Sequence, residues 1–261
     1  MTSVLRMLWD YAVLYVSMAV FAAACLIVSA VTLPLYVFLP RPARVRLGRV
    51  VISRACRLYT RWLTSVGAYR LDLAALDALR EEPAIILAPN HPSIIDAILI
   101  LAHHPNVACI MKSDLMNNVF LGASARVAGY ISNRPPRRMV LDSVAELRRG
   151  GVLLLFPEGG RTIQPPVNPF TAGIGLIAKR AGVPVQALIV ETDSPCLSKG
   201  WSLIRRTPLP VSFRVRLGRR FEAPDDARTL DLALETYFRD ELADSVQNRW
   251  LAAQHLQHQA G

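Results

Sequence analysis

The sequence lacks the cysteine pattern of a disulfide scaffold or of a cysteine-based metal site. Its 261 residues contain four cysteines, with no C-x-x-C pair and no histidine at metal-ligand spacing. We therefore expect reduced, unpaired thiols in a cytoplasmic domain, in preference to a disulfide framework. The four residues are Cys25, Cys56, Cys109 and Cys196.

Several nucleotide-binding and hydrolase motifs are also missing. No Gly-x-Ser-x-Gly sequence occurs, which argues against a serine hydrolase with a nucleophile elbow. No P-loop and no G-x-G-x-x-G sequence follows an apolar run, so a phosphate-cradling glycine loop of either kind is not expected.

Acidic residues are absent between Asp10 and Asp72, and the run Tyr11–Leu39 has no charge of either sign. A membrane-spanning helix needs about 20 apolar residues, so this run is long enough. A cleavable signal peptide would have an apolar region of only about 7–15 residues. We favour an uncleaved membrane anchor, either a single helix or a helical hairpin broken at Pro34 or Pro40.

Arginine supplies nearly all of the positive charge, and Lys plus Arg outnumber Asp plus Glu by 30 to 20. By the positive-inside rule, the segment after the apolar run faces the cytoplasm. We expect the protein in the inner (cytoplasmic) membrane, with its main domain facing the cytoplasm. The arginines in that segment attract anionic headgroups by about 1 kcal/mol each, so an anionic membrane surface is an expected partner. Nucleic acid is not expected, because the cluster adjoins the apolar run and lacks interleaved aromatic residues. The arginines are Arg41, Arg44, Arg46, Arg49, Arg54, Arg57, Arg61 and Arg70.

From residue 83 onward, short apolar runs alternate with segments of helical periodicity. This pattern predicts an α/β fold whose central, mostly parallel sheet is flanked by helices. We expect an anchor and a basic amphipathic helix in residues 1–70, and a catalytic domain in residues 71–261 that ends in a helix over 227–256. The predicted strands are Ala84–Ala88, Val107–Ile110, Val152–Phe156, Val185–Val190 and Val211–Leu217. The predicted helices of this domain are Ile94–His103, Leu115–Val127, Arg137–Arg149 and Ala172–Gly182.

The segment Asn90–Asp96 follows the first of these apolar runs. Ligands of open α/β sheets usually bind at strand ends, and a histidine there can act as a general base because imidazole titrates near neutrality. A carboxylate such as Asp96 can fix the tautomer of His91. A capping box from Ser93 to Asp96 also fits this spacing. Five residues turn a helix by about 140°, so His91 is expected in the loop and Asp96 in the first helical turn.

Two further segments carry groups that suit a phosphate-bearing ligand. In Phe156–Thr162, glycines allow close backbone approach, Arg161 can fork onto a phosphate, and Glu158 can accept a hydrogen bond from a polyol hydroxyl. The segment Gly129–Arg134 ends in another arginine, Arg134. A tight turn with a surface ion pair is the alternative interpretation of Phe156–Thr162.

The order NHPSIIDAIL, GYISNR, FPEGGRT and VPVQAL resembles the four sequence blocks of the glycerolipid acyltransferase family, typified by 1-acylglycerol-3-phosphate acyltransferase. The resemblance covers residues 83–190. It implies that His91 deprotonates the acceptor hydroxyl and that Asp96 orients it. It also implies four residues that bind the acceptor, namely Arg134, Glu158, Gly159 and Arg161.

The resemblance further implies acyl-CoA or acyl-carrier protein as donor and a lysophospholipid as acceptor, with no metal or redox cofactor. The expected reaction converts 1-acyl-sn-glycerol-3-phosphate to phosphatidate. Asn133 and Gly160 depart from the family pattern, and the stretch Ser194–Trp201 is not a general family block. A different lysolipid acceptor, a catalytically silent lipid-binding protein on the same fold, and a thioester hydrolase are the alternatives.

Overall fold

Helices come first along the chain, and a sheet follows them. The structure is a computed structural model that describes residues 3–171, 173–202, 204–246 and 248–250. A short 3-10 helix covers Ala74–Leu79. The α-helices are α1 Ser3–Phe38, α2 Arg41–Ser65, α3 Asp96–His103, α4 Ser113–Met116, α5 Gly122–Val127, α6 Pro136–Arg148, α7 Ile174–Ala181 and α8 Ala227–Leu242.

The described strands form one seven-stranded sheet in the order β1-β7-β6-β2-β5-β3-β4. Every neighbouring pair is parallel except β6 and β7, so β1 and β7 run against the other five strands. The predicted mostly parallel sheet is therefore confirmed. The strands are β1 Tyr69–Asp72, β2 Ile86–Pro89, β3 Val107–Met111, β4 Ile131–Ser132, β5 Val152–Leu154, β6 Val185–Thr192 and β7 Val211–Phe221.

Helices cover both faces of the sheet, and this explains the continuous apolar runs. Along β2, Leu87 packs in the core shared with α2 and α3, whereas Ile86 and Ala88 pack in the core shared with α6, α7 and α8. Successive strand side chains point to opposite faces, so a strand buried on both faces needs apolar residues throughout. The two cores hold the strand ends, and the loops that follow them, in a rigid frame.

Two predicted helices differ from the structure. The predicted helix Leu115–Val127 is wrong, because α4 and α5 are separate and the chain turns between them. Asn118 stabilises this turn, since its side-chain oxygen accepts a hydrogen bond from the Phe120 N–H at 2.8 Å. Helix α8 begins where predicted but ends at Leu242. Residues 251–256 of the predicted C-terminal helix lie outside the described residues.

The apolar N-terminal run forms one helix, with Pro34 inside it. The chain reverses at Pro40, and α2 returns antiparallel to α1: the Tyr59 hydroxyl donates to the Ser17 carbonyl at 3.1 Å. The hairpin is thus formed by α1 and α2, and only Pro40 breaks the chain direction. Within the described residues, α1 alone is long and apolar enough to cross a membrane, as judged by length and composition.

The hairpin is also attached to the rest of the chain by polar contacts. Asp10 is buried and accepts a hydrogen bond from Arg206 Nε at 2.9 Å. On α2, Arg49 forms an ion pair with Glu146 of α6 at 2.6 Å. A division into an anchor and a catalytic domain at residue 70 stays a prediction.

All four cysteines are unpaired, as predicted. Cys109 and Cys196 are buried in the core beside the sheet. Burial raises the pKa of the Cys109 thiol to about 12, so this thiol stays protonated and unreactive at neutral pH.

Candidate active site

The predicted site residues lie at the carboxyl ends of the parallel strands. His91 follows β2 and Glu158 follows β5, and these two strands are neighbours in the sheet. Lys112 follows β3 and Arg134 follows β4, so both lie at the same edge. Strands are about 4.8 Å apart, so three strand spacings, about 14 Å, separate the positions after β2 and β4. Long basic side chains can bridge much of that distance.

His91 and Asp96 form a hydrogen-bonded pair. Asp96 Oδ2 accepts from His91 Nδ1 at 3.0 Å, since an ionised carboxylate can only accept. His91 lies in the loop and Asp96 is the first residue of α3, as the spacing predicted. The imidazole stacks on Phe156 with ring centroids 4.0 Å apart, which holds the ring plane. The other ring nitrogen, Nε2, is left with its lone pair to accept a proton.

The Asp96 carboxyl group also holds the loop that precedes its own helix. Its Oδ2 accepts from the Ser93 N–H at 2.8 Å, which is one half of a capping box. The Ser93 hydroxyl donates elsewhere, to the Cys196 carbonyl at 3.1 Å. Burial raises the pKa of Asp96, and the hydrogen bond to His91 opposes part of that rise. One carboxyl group therefore both holds the loop at Ser93 and orients the histidine.

Asn90 attaches the loop that carries His91 to the neighbouring strand. It is completely buried, and its side chain donates to the Val190 carbonyl at 2.9 Å and accepts from the Val190 N–H at 2.7 Å. This pair of bonds continues the ladder between β2 and β6 with a side chain. The loop that carries His91 therefore leaves the sheet from a fixed point.

Glu158 holds three parts of the site together. Its Oε1 accepts from the His91 N–H and from the Thr162 hydroxyl, both at 2.9 Å, and its Oε2 accepts from the Asn168 N–H at 2.8 Å. Burial raises the pKa of Glu158, whereas these hydrogen bonds oppose the rise. Acceptor binding by Glu158 stays a prediction, and the structure gives this carboxyl group a second role, which is to position the His91 backbone.

Glu158→Ala is expected to lower the free energy of unfolding by about 2 kcal/mol, because buried N–H donors lose their acceptor. It is also expected to lower kcat, because the loop that carries His91 loses its support. Glu158→Gln should have a smaller effect, since one oxygen of the original two is kept. Chemical denaturation and steady-state kinetics measure both quantities.

Thr162→Val is the matched control, because it removes one of the three bonds to Glu158 and leaves the others. We expect about 1 kcal/mol of destabilisation from it. If Glu158→Ala kept full stability and raised only the KM for the acceptor, Glu158 would be a ligand of the acceptor and not a positioning residue.

Arg161 lies between the His91–Asp96 pair and the stretch Ser194–Trp201. Its Nη1 donates to the carbonyls of Leu197 and Ser198 at 3.0 and 2.9 Å. In the part of the chain that the structure describes, Nε and Nη2 have no hydrogen-bond partner. Burial lowers the pKa of Arg161 and the nearby Asp96 raises it, so the guanidinium stays charged. One side of this fork therefore remains for an anionic ligand.

Lys112 was not singled out by the sequence patterns, although it lies two residues after the predicted strand Val107–Ile110, much as His91 lies three residues after Ala84–Ala88. A Cβ atom at Gly160 would lie 3.3 Å from Lys112 Nζ, so the ammonium group lies above the backbone of the Phe156–Thr162 loop. Asn133, where family members often have an acid, accepts a hydrogen bond from the Ser113 N–H at 3.0 Å. That bond joins the loops after β3 and β4.

The geometry of the site indicates the class of protein. A histidine paired with a buried carboxyl group can remove a proton from a hydroxyl, and nearby lysine and arginine side chains can hold an anionic group on the same substrate. This combination at the carboxyl edge of an α/β sheet suits an enzyme that activates a hydroxyl on a phosphate-bearing molecule.

Comparison with known proteins agrees with this class. Residues 70–191 match the Acyltransferase family model. The chain is 27% identical over 210 residues to a 1-acyl-sn-glycerol-3-phosphate acyltransferase of Pseudomonas aeruginosa, covering 78% of this chain and 80% of the relative. It is 28% identical over 123 residues to the chloroplastic 1-acyl-sn-glycerol-3-phosphate acyltransferase BAT2 of Brassica napus, covering 45% of this chain and 36% of the relative.

The fold is shared with a solved structure, the 1-acyl-sn-glycerophosphate (LPA) acyltransferase PlsC from Thermotoga maritima. The TM-score is 0.65 at 20% sequence identity, covering 93% of this chain and 97% of that chain. Residues 70–191 are therefore a domain of the Acyltransferase family, and the chain is an acyltransferase of the 1-acyl-sn-glycerol-3-phosphate acyltransferase type.

Proposed function

We propose that the protein transfers a fatty-acyl group from acyl-CoA or acyl-carrier protein to the hydroxyl of 1-acyl-sn-glycerol-3-phosphate, giving phosphatidate. The observation that carries this proposal is the hydrogen bond between His91 and Asp96, at a sheet edge that also carries Lys112 and Arg161. The names of the relatives from Pseudomonas aeruginosa and Brassica napus support this acceptor.

The catalytic roles follow from the tautomer. His91 Nδ1–H donates to Asp96, so Nε2 takes the proton of the acceptor hydroxyl as its oxygen attacks the thioester carbonyl carbon. A C–O bond forms, the C–S bond breaks, and the thiolate leaves with the proton from the imidazolium. Asp96 stabilises the imidazolium in between. The acyl group passes directly to the acceptor, without an acyl-enzyme.

The acceptor phosphate is held by the basic side chains at the ends of β3, β4 and β5. Lys112, Arg134 and Arg161 supply the charges, and an arginine can bind two phosphate oxygens at once. Gly159 has a φ of +64°, a left-handed conformation that suits glycine, and it allows the backbone to come close to the ligand.

Lys112→Gln and Arg134→Gln are each expected to raise the KM for lysophosphatidate about 10- to 100-fold, because a charge-assisted hydrogen bond contributes about 1.5–3 kcal/mol. The KM for the thioester should change little, since neither residue contacts the donor in this proposal. Steady-state kinetics with each substrate varied in turn measures the difference.

Arg228→Gln is the matched control for the loss of one charge. Arg228 is exposed on α8, which begins after β7 and therefore lies at the opposite edge of the sheet. An equal rise in KM in all three variants would mean that net charge matters and that Lys112 and Arg134 do not bind the phosphate.

The proposed location is the inner (cytoplasmic) membrane, with residues 71–261 as a catalytic domain in the cytoplasm and residues 1–70 as its anchor. Large apolar side chains stay exposed along the whole of α1, for example Leu8, Ile27 and Phe38 at 56%, 63% and 80%. Exposed apolar surface of this extent is suited to lipid. The arginines that begin at Arg41 support the orientation.

A different lysolipid acceptor is the second candidate, and Arg161 is the observation that favours it. Part of its guanidinium is occupied by the carbonyls of Leu197 and Ser198, in a stretch outside the general family blocks. Leu197 has a φ of +60°, which is rare for a side chain of this size and shows that the stretch is held in a defined shape. A changed contact at Arg161 would change the preferred headgroup.

The test is a transfer assay with the full chain purified in detergent. A labelled acyl thioester, as acyl-CoA or acyl-carrier protein, is supplied with lysophosphatidate, with lysophospholipids of other headgroups, or without acceptor. Labelled phosphatidate is the expected product. Preferred acylation of another lysolipid would identify the second candidate, and release of free fatty acid without acceptor would identify a thioester hydrolase. No conversion with any donor would indicate a silent lipid-binding protein.

A further inference from the structure

A second basic pocket lies between the elbow of the helical hairpin and α6. It has a volume of about 390 Å³ and is lined by the end of α1, the start of α2, α5, the chain entering β4, and α6. None of the residues proposed for acyl transfer lines it. Its lining includes Gly129 and Tyr130, which precede β4, and Arg149, which follows α6 and precedes β5, so it reaches toward the opposite edge of the sheet from His91.

The lining is strongly positive. Five arginines line the pocket with two acids, Asp142 and Glu146. Both acids are already paired, Asp142 with Arg138 at 2.8 Å and Glu146 with the buried Arg49 at 2.6 Å. Arg149 is 4.0 Å from Glu146, too far for a hydrogen bond. Among the described residues, no carboxylate lies within hydrogen-bond distance of Arg41, Arg44, Arg126 or Arg149. Arg44 donates to the Tyr36 carbonyl at 3.3 Å and Arg126 to the Asn117 side chain at 2.9 Å, and neither partner carries a charge.

Arg49 lies behind the pocket and is not one of the residues that line it. Only 4% of its side chain is exposed, and it forms an ion pair with Glu146 of the lining at 2.6 Å. The charge of this acid is therefore largely used by a residue outside the lining, and the arginines that do line the pocket keep most of their positive charge.

We propose that this pocket binds the phosphate of an anionic membrane phospholipid, as a site separate from that of acyl transfer. Guanidinium groups recognise phosphate by paired hydrogen bonds, and those of Arg41, Arg44, Arg126 and Arg149 line this pocket. The pocket opens where the apolar helix α1 ends, beside Val37 and Phe38, which are 71% and 80% exposed. A headgroup in the pocket can therefore keep its acyl chains against α1. The proposal rests on the membrane association proposed above.

The bound lipid would join the membrane to the catalytic domain. Arg44 belongs to α2, whereas Arg149 directly follows α6, whose start carries the loop with Arg134. One phosphate bound by both arginines bridges the hairpin and α6. This bridge adds a specific, saturable contact to the general attraction between arginines and an anionic surface.

The test is a binding titration with the full chain in an uncharged detergent, followed by calorimetry. Dihexanoyl phosphatidylglycerol is the probe, dihexanoyl phosphatidylcholine has the same chains without net charge, and inorganic phosphate is the third arm. We expect saturable binding of the phosphatidylglycerol alone, weakened at least tenfold by Arg44→Gln with Arg149→Gln. If inorganic phosphate bound as tightly as dihexanoyl phosphatidylglycerol and competed with it, the pocket would be a site for a free anion and the lipid assignment would be wrong.

Arg54→Gln with Arg61→Gln is the matched control, because both arginines are exposed on α2 outside the pocket. Equal weakening by this pair would overturn the proposal in favour of a non-specific surface charge effect. If the double variant does not fold, Arg149→Gln alone replaces it, because Arg149 is exposed. The affinity of this single variant for phosphatidylglycerol should still be lower than that of the wild type. Binding requires no turnover, so a His91→Ala protein should bind the probe normally even if the proposed reaction were wrong.

Discussion

His91→Ala is expected to lower kcat about 1,000-fold, because a positioned general base contributes roughly 10²–10⁴ to the rate. The KM for either substrate should change little, since the phosphate is held by other side chains. The fold should survive, because the backbone of this residue is held by Glu158 and Thr162 whatever its side chain. The transfer assay measures the rate, and thermal denaturation checks the fold.

His103→Ala is the matched control. His103 lies at the end of α3 and its ring nitrogen faces Asp77 at 3.4 Å, so the chain contains a second histidine–aspartate pair outside the catalytic loop. This variant should keep at least about half of the wild-type rate. A His91→Ala enzyme with a rate within about tenfold of the wild type would refute the assignment of the base.

Asp96→Asn is expected to lower kcat about 100-fold or more. The amide oxygen can still accept the hydrogen bonds from His91 Nδ1 and from the Ser93 N–H, so the tautomer and the loop at Ser93 are kept. What is lost is the negative charge that stabilises the imidazolium formed during transfer. The loss should therefore appear in kcat, as judged by steady-state kinetics, and not in the KM of the acceptor.

The difference in stability between the wild type and Asp96→Asn should depend on pH in a defined direction. Burial raises the pKa of Asp96 in the folded state, so the folded protein binds this proton more tightly than the unfolded chain does. The contribution of Asp96 to the free energy of unfolding therefore falls as pH rises from the ordinary aspartate pKa through the raised one. Above that window the wild type bears the full cost of a buried charge, and the asparagine variant does not.

We thus expect Asp96→Asn to be at least as stable as the wild type at pH 8, with the difference shrinking as pH falls through that window. Denaturant titrations at several pH values measure it. Asp77→Asn is the control, since that carboxyl group is 55% exposed and its removal should change neither rate nor stability appreciably. A variant that is less stable at pH 8 and more stable in acid would contradict the direction of the Asp96 shift.

Much of the sheet could be predicted because its central strands are buried on both faces. The runs that became β2, β3, β5 and β6 are apolar at almost every position, and only a strand covered on both faces needs that. The strands β1 and β4 were not predicted. β1 alternates charged residues with Tyr69 and Leu71, and β4 has only two residues, Ile131 and Ser132. Such segments become strands because a neighbour supplies their hydrogen bonds.

In the site, the neighbouring residues of the chain were the easiest to predict. His91 and Asp96 are five residues apart, so their meeting needs only a loop and one helical turn. The position of Lys112 over Gly160 and the contact of Arg161 with Leu197 join segments more than 30 residues apart. No local periodicity encodes these distances, since they depend on how β2, β3, β5 and β6 are ordered in the sheet.

The amino-acid order alone was sufficient for the class of fold, the apolar helix, the unpaired thiols and the histidine–aspartate pair, because each depends on local chemistry or on the periodicity of a single segment. The roles of charged groups required the folded chain. Glu158 looks like a ligand of a polyol in the sequence, yet in the structure it accepts hydrogen bonds from His91 and Asn168. Arg49 looks like one more arginine of a basic helix, yet it is buried beside a second pocket. A charge acts through the groups around it, and distant parts of the chain supply those groups.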